Sequence, residues 1–284
     1  MGLERAAPER WQEMHGALGV TAVEGDVRNM DVHGLIEALN QHQLLVFRDQ
    51  SLDPLQLAEF GSQFGELDIY PLAEPLEETP YVVGLVKNPE DASNFGGAWH
   101  TDTSYVAEPP KMTMLYAVEI PQGGGDTMFA DSCQTFANLS PGLRSCLEGL
   151  EAVYTADLVH ASDGAYAEVT GQSVKAVDSD RLTTAVHPVV RVHPETGRKA
   201  LYTSLIHTER FVGMTRAESL PLLEYLQAAT IAAENCTRLT WRPGTLAIWD
   251  NRCVQHYPLN DYPGERRVMH RLIVKGERPA GVQG

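Results

Sequence analysis

A chain of 284 residues, 43% hydrophobic and 21% charged, is long enough to bury a large core, and sandwich or barrel folds of this size form one domain. Its formal charge of -16 at pH 7 disfavours nucleic acid and anionic membrane surfaces as partners. The sequence has no apolar run long enough to span a bilayer and no basic-then-apolar leader at its start, so a cytoplasmic location is expected. Cys133, Cys146, Cys236 and Cys253 lack zinc-type or redox-type spacing and read as reduced packing residues.

In chain order, Asp31 to Gln41 sets Val32, Leu35, Ile36 and Leu39 at helical spacing, and Leu44 to Arg48 reads as a buried strand. Asp53-Pro54, an aspartate cap followed by proline at the first helical position, opens a second helix carrying Leu57, Phe60 and Phe64. Strands are expected around Tyr81 to Val86, Lys111 to Val118 and Thr127 to Ala130, with a helix from Ser140 to Leu150. The pattern weakens from Asp157 to Thr183, which reads as an insertion forming part of a lid. Val189 to Val192 and Ala200 to Thr203 flank a hairpin turn at Pro194 to Gly197, which sets His193 at the surface. Thr215 and Glu218 form a capping-box pattern for a long helix ending near Asn235. Arg238 to Arg242, Thr245 to Trp249 and Arg267 to Lys275 read as the last strands. With no internal repeat, these elements fit a single domain over residues 1–284, mostly β with flanking helices.

His100 and Asp102 stand two residues apart after Trp99, and His256 lies far downstream in WDNRCVQHYPLNDY. In an extended strand alternate side chains share a face, so an imidazole and a carboxylate at this spacing can grip one ion. A second imidazole from a distant strand would complete two His and one carboxylate on one side of the ion, the arrangement that suits non-haem Fe(II). Taken alone, the pair reads by default as a hydrogen-bonded strand histidine. The stretch RRVMHRLIVK then alternates with period two, placing Arg267, Met269, Arg271 and Ile273 on one face. The two arginines are separated by roughly 13 Å along the strand and could hold two different anionic groups. Otherwise they are snorkelling surface residues.

Five blocks in order, FGELDIYP, WHTDTSYVAEPP, GGGDTMFAD, RPGTLAIWDNRCVQHYPLNDY and ERRVMHR, resemble the Fe(II)- and 2-oxoglutarate-dependent dioxygenases of the taurine dioxygenase group, from about Val20 to about Pro279. The resemblance implies a double-stranded β-helix of the jelly-roll type, with Fe(II), 2-oxoglutarate and O2 as cofactor and co-substrates. On it, His100, Asp102 and His256 match the iron ligands. Thr127 and Arg267 match the residues that hold the distal carboxylate of 2-oxoglutarate, and Arg271 matches the grip on the anionic end of the prime substrate. The implied reaction converts 2-oxoglutarate to succinate and CO2 while hydroxylating a C–H bond. Because Asp102 fills the place that a small residue occupies in related halogenases, oxygen insertion is expected over halogenation.

The resemblance departs from the taurine enzyme in the pocket. Tyr70 stands where that enzyme has histidine, Gly96 where it has asparagine, and His207 where it has phenylalanine. These changes point to a small anionic sulfonate or carboxylate other than taurine, with Gly96 and Gly97 making room. For Tyr70 and His207 ordinary packing is an equal alternative, and Arg271 could instead pair with a neighbouring acid. Desaturation, cyclisation or oxidative decarboxylation would use the same cofactors. A zinc hydrolase with the same ligands, or a silent jelly-roll binding protein, are the rival classes. The partner expected is a small molecule, and homo-oligomers are compatible with the group.

Overall fold

The computed structural model of the chain describes residues 10–70, 73–160 and 184–283. The chain opens with Trp11–Glu13 (β1), paired antiparallel to Val20–Ala22 (β2). Asp31 caps α1 (Val32–His42) by accepting from the Gly34 N–H. Gln43 ends that helix with a φ of 65° and turns the chain at once into Leu44–Phe47 (β3). Asp53 caps α2 (Pro54–Ser62) with Pro54 in its first turn, as the Asp-Pro pair predicts, and Gln56 closes the cap into a reciprocal box. Leu67–Asp68 (β4) and Pro75–Leu76 (β5) are short; Thr79–Lys87 (β6) and Met112–Glu119 (β7) are long.

Thr127–Asp131 (β8) runs straight into α3 (Ser132–Asn138), and Ser140 caps α4 (Pro141–Glu148). Glu151–Thr155 (β9) and the single turn α5 (Asp157–His160) follow. Of the segment expected as a lid insertion, only that turn falls within the described residues; residues 161–183 lie outside them. Next come Thr184–Pro188 (β10), Val190–Val192 (β11), Lys199–Leu201 (β12) and Thr208–Phe211 (β13). Thr215 and Glu218 make the expected capping box on α6 (Arg216–Thr230), which stops before a 3-10 turn at Ala233–Asn235 instead of running through it. Cys236–Leu239 (β14), Leu246–Asp250 (β15), Val254–Pro258 (β16) and Arg267–Val274 (β17) complete the chain.

The wide sheet runs β1-β2-β3-β15-β7-β17-β6-β5, with β4 added beside β17, and a smaller sheet runs β14-β8-β16. Both faces of the wide sheet's centre are covered, which is why β3 is apolar throughout and β7 and β15 are largely so, whereas β17 keeps Arg267, His270 and Arg271 among its apolar residues. Leu45, Phe47, Met114, Ile248 and Leu272 pack outward under Leu35 and Leu39 of α1 and Leu57 and Phe60 of α2. Leu44, Val46, Leu115, Ala247, Trp249 and Met269 point the other way, against Phe129, Leu239 and Val254 of the smaller sheet. Each fully buried aliphatic side chain of this kind is stabilising by about 1.5–3 kcal/mol. Two facing sheets backed by helices on the wide side form the jelly roll that the sequence predicts. A third cluster joins Leu223 and Leu226 of α6 to Tyr154, Leu201 and Phe211. Among the described residues no helix is long and apolar enough to cross a membrane.

Candidate active site

His256 sits on β16 and is tied to His100 by a reciprocal pair of backbone hydrogen bonds. The His100 N–H donates to the His256 carbonyl at 3.0 Å, and the His256 N–H returns to the His100 carbonyl at 2.8 Å. The sequence predicts His100 and Asp102 on one face of an extended strand, but the structure corrects this. His100 makes an isolated bridge, and the chain then turns, with Thr103 at a φ of 42°. The turn, not strand alternation, swings the Asp102 carboxylate back toward the imidazoles. Asp102 Oδ1 lies 3.6 Å from His100 Nε2 and 3.8 Å from His256 Nε2. The three residues are buried, and their ligand atoms lie within 4.8 Å of one another, a spacing that allows them to share one ion.

Their protonation suits a cation. The Ala98 carbonyl is 2.7 Å from His100 Nδ1 and accepts a hydrogen bond from it, which orients the ring with Nε2 toward Asp102. Burial, reinforced by the neighbouring His100, pushes the His256 pKa down to about 3, so its ring is neutral. Burial alone would raise the Asp102 pKa, but the Arg271 guanidinium and the two imidazoles hold it well below the usual carboxylate range. A neutral His256 imidazole beside an ionised Asp102 carboxylate is the form in which these two groups bind a divalent metal.

Arg267 lies at the start of β17, with its Nε and Nη2 atoms buried and without hydrogen-bond partners. Burial lowers its pKa, and its guanidinium stands 5.9 Å from the Trp241 ring centre. The nearby Asp126 carboxylate is taken by Arg238 at 2.6 Å and Thr240 at 3.0 Å. Thr127 Oγ1 accepts from Trp241 Nε1 at 2.9 Å, which leaves the hydroxyl proton for another acceptor. A buried guanidinium with unused N–H groups beside a free hydroxyl proton fits the carboxylate of a diacid. Trp241 escaped the sequence reading; its only signal was an indole ahead of the Pro243-Gly244 turn.

Arg271 shares the inner face of β17 with Arg267, as the alternation predicts. Its Nη2 lies 2.8 Å from Asp102 Oδ1, close for an ion pair but poorly aligned for a hydrogen bond, and Nη1 has no partner. The guanidinium also sits 4.0 Å from the centre of the Tyr70 ring. The pairing with a neighbouring acid, open from sequence, is therefore present, and the acid is Asp102 itself. Tyr70 is buried edge-on to Phe95. His207 is buried beside His100 at a ring distance of 6.0 Å, with Ser104 Oγ 2.9 Å from its Nδ1. Gly96 has a φ of 79°, and a Cβ there would stand 3.0 Å from His100 Cε1, so its bare side faces the imidazole edge.

His193, expected at the surface, is buried. The hairpin folds under the β15–β16 turn, where the Asp250 carboxylate is sealed from water and needs donors. His193 Nε2 supplies one at 2.9 Å, and Arg252 supplies three through its backbone N–H, Nε and Nη2. His193, Asp250 and Cys253 thus cluster closely enough for a metal, yet both Asp250 oxygens are already saturated, and the group works as an internal ion pair.

A family profile described as "Taurine catabolism dioxygenase TauD, TfdA family" matches residues 14–273. The chain belongs to the TauD/TfdA dioxygenase family. It is a 2-oxoglutarate-dependent non-haem iron dioxygenase, and the family's chemistry depends on Fe(II), 2-oxoglutarate and O2. Among relatives, an alpha-ketoglutarate-dependent sulfate ester dioxygenase of Pseudomonas putida is 33% identical, the match covering 91% of this chain and 85% of the relative. An alkylsulfatase of Acinetobacter baylyi is 31% identical, with 92% and 82% covered. The solved structure of a taurine dioxygenase from Burkholderia xenovorans superposes with a TM-score of 0.79 at 27% identity, covering 97% of this chain and 96% of that one.

Proposed function

We propose that this TauD/TfdA enzyme hydroxylates a C–H bond of a small organic anion, a sulfate ester or sulfonate other than taurine, while converting 2-oxoglutarate to succinate and CO2. A carboxylate is the second substrate class. The observation that carries the reading is the convergence of His100, Asp102 and His256, with Arg267, whose buried Nε and Nη2 are unpaired, on the same strand that brings Arg271 to Asp102. In this assignment a single catalytic domain holds Fe(II) through those three residues. Fe(II), when bound, supplies the redox centre at which O2 is reduced as 2-oxoglutarate is decarboxylated.

Thr127 and Arg267 hold the distal carboxylate of the diacid, the hydroxyl with one hydrogen bond and the guanidinium with a fork. Arg271 anchors the anionic head of the prime substrate through Nη1, stacked on Tyr70, while His207 borders the substrate's body and Gly96, its bare side against the His100 ring, lets the chain pass close to that ligand. Support for an organosulfur anion comes from the names of the two curated relatives, both of which act on sulfate esters or carry an alkylsulfatase description. Hydroxylating the carbon that bears a sulfate ester gives an adduct that collapses to an aldehyde and sulfate. His100, Asp102 and His256 are buried, which limits the access of bulk water to the reacting centre.

Anaerobic addition of Fe(II) and 2-oxoglutarate to the purified protein is expected to give a visible charge-transfer band. Its absence from folded protein would return the choice to a zinc hydrolase or a silent binding protein. A panel of alkyl sulfates, sulfonates, carboxylates and aryloxy acids, scored by succinate together with sulfate or sulfite, then separates the substrate classes. Turnover confined to carboxylates would sink the organosulfur assignment.

A further inference from the structure

We infer that Thr113 and Asn251 are positioning residues for Asp102, linked with Trp249 into a one-way hydrogen-bond chain that decides which carboxylate oxygen faces the two imidazoles. The inference rests on the reading of Asp102 as a metal ligand. Trp249 Nε1–H donates to Asn251 Oδ1 at 2.9 Å, Asn251 Nδ2 donates to Thr113 Oγ1 at 2.9 Å, and Thr113 Oγ1 donates to Asp102 Oδ2 at 2.5 Å. All four side chains are buried.

The direction of this chain is forced by chemistry. An indole N–H can only donate, so the amide atom that meets it must be the oxygen of Asn251. The amide nitrogen then faces Thr113 and can only donate, so the hydroxyl must accept there. One proton remains on Thr113, and the ionised Asp102, which can only accept, receives it. Neither an amide flip nor a hydroxyl rotation preserves all three bonds. In a low-dielectric interior such chains polarise one another, which strengthens the final link.

Strand geometry puts the parts in place. Thr113 and Trp249 are direct partners in the β7–β15 pairing, and Asn251 follows in the turn, where its N–H donates to the Lys111 carbonyl at 2.9 Å. The Trp249 ring also lies 4.8 Å from the His256 ring. One indole therefore braces an imidazole ligand by contact and the carboxylate ligand through two intermediaries. With Oδ2 engaged by Thr113, Oδ1 is the oxygen turned toward His100 and His256, where the Arg271 Nη2 also stands 2.8 Å from it as an ion pair. The carboxylate is thereby set to bind through one oxygen.

The test is equilibrium dialysis of Mn(II) against metal-free protein, with infrared difference spectra of the carboxylate stretches on loading. Thr113→Val, close in shape but without the hydroxyl, is expected to bind Mn(II) roughly 10- to 100-fold more weakly, in line with the loss of outer partners at other metal sites. Its stretch splitting should move toward that of a carboxylate binding through both oxygens. Thr113→Ser should restore affinity and splitting. Asn251→Ala should lose less, and adding it to Thr113→Val should cost little more, because the chain is already cut. Should Thr113→Val fail to fold, Asn251→Ala is judged by the same dialysis and spectra. Wild-type affinity and splitting in the folded variants, or losses that simply multiply in the double variant, would overturn the chain. Asp102→Ala separates the two claims: if it binds Mn(II) like the wild type, the ligand assignment itself is wrong.

Discussion

Arg267 is a cation enclosed by protein, with two N–H-bearing nitrogens lacking acceptors, and such a group is costly unless something anionic joins it. Arg267→Ala is expected to weaken 2-oxoglutarate binding roughly 10- to 150-fold, the equivalent of about 1.5–3 kcal/mol for a charged hydrogen bond. Titration of the charge-transfer band reads the loss, and Mn(II) affinity should stay near wild type; an unchanged co-substrate affinity would remove Arg267 from its role. His187 makes a separate prediction. Burial pushes its pKa down to about 4, aided by the Arg191 and Arg278 charges against the hold of the Val106 carbonyl. The unfolded chain takes up this proton near pH 6.5 while the folded chain does not. Stability should therefore fall as pH drops from about 6.5 to 4, by at most about 1.4 kcal/mol per pH unit. Replacing His187 with Gln should flatten that part of the urea-midpoint profile, and an unaltered slope would show that the imidazole is not involved. At this scale the sequence was informative where chemistry repeats at short range: His100 and Asp102 two apart, Arg267 and Arg271 four apart on one strand face. It was silent on Thr113 and Asn251, and misleading on His193, because their roles come from contacts between residues far apart in the chain.

The join between β17 and β7 has little slack. Lys111 N–H donates to the Val274 carbonyl at 3.0 Å, and just beyond, a Cβ on Gly276 would stand 2.0 Å from the Pro109 carbonyl oxygen and 2.7 Å from Lys111 N. Backbone atoms cannot swing aside as a side-chain tip can. Gly276→Ala is accordingly expected to destabilise the fold by about 1–3 kcal/mol, the usual range for overpacking, measured by denaturant unfolding. A wild-type midpoint would mean the strand end has more freedom than this contact implies. Elements with strong local signals are read close to their true limits: the helix starts capped by Asp53 and Thr215, the largely apolar β3, β7 and β15, and the alternating β17. The strands β9, β13 and β16 were not. In β16, VQHYP has polar residues and a closing proline, and it is a strand only because β8 pairs with it, setting His256 opposite Phe129. Likewise the Arg238 to Arg242 expectation was shifted, since the chain leaves the sheet after Leu239 and Trp241 turns in to meet Thr127.

Across the molecule, the imidazoles come from β16 and the loop bridged to it, whereas the outer support of Asp102 comes from β7 and the β15–β16 turn of the wide sheet. A bound ion therefore links groups carried by both sheets. Mn(II) at about one hundred times its dissociation constant should add about 2.7 kcal/mol to stability, a rise in Tm of roughly 5–10 °C by scanning fluorimetry. Asp102→Ala should show almost none of it; an equal rise in that variant would place the ion elsewhere. The jelly-roll class was legible because alternation, capping and block order agree, but the sheet partners were not, since pairing is settled by burial on both faces at once.

The wide sheet has one more property, at its margins. Its outermost members, β1 and β5, are three and two residues long, while its longest strands lie inside. Stubs this short offer an incoming chain almost no row of open amides and carbonyls to extend, so the molecule is guarded at these rims against fibril-like stacking.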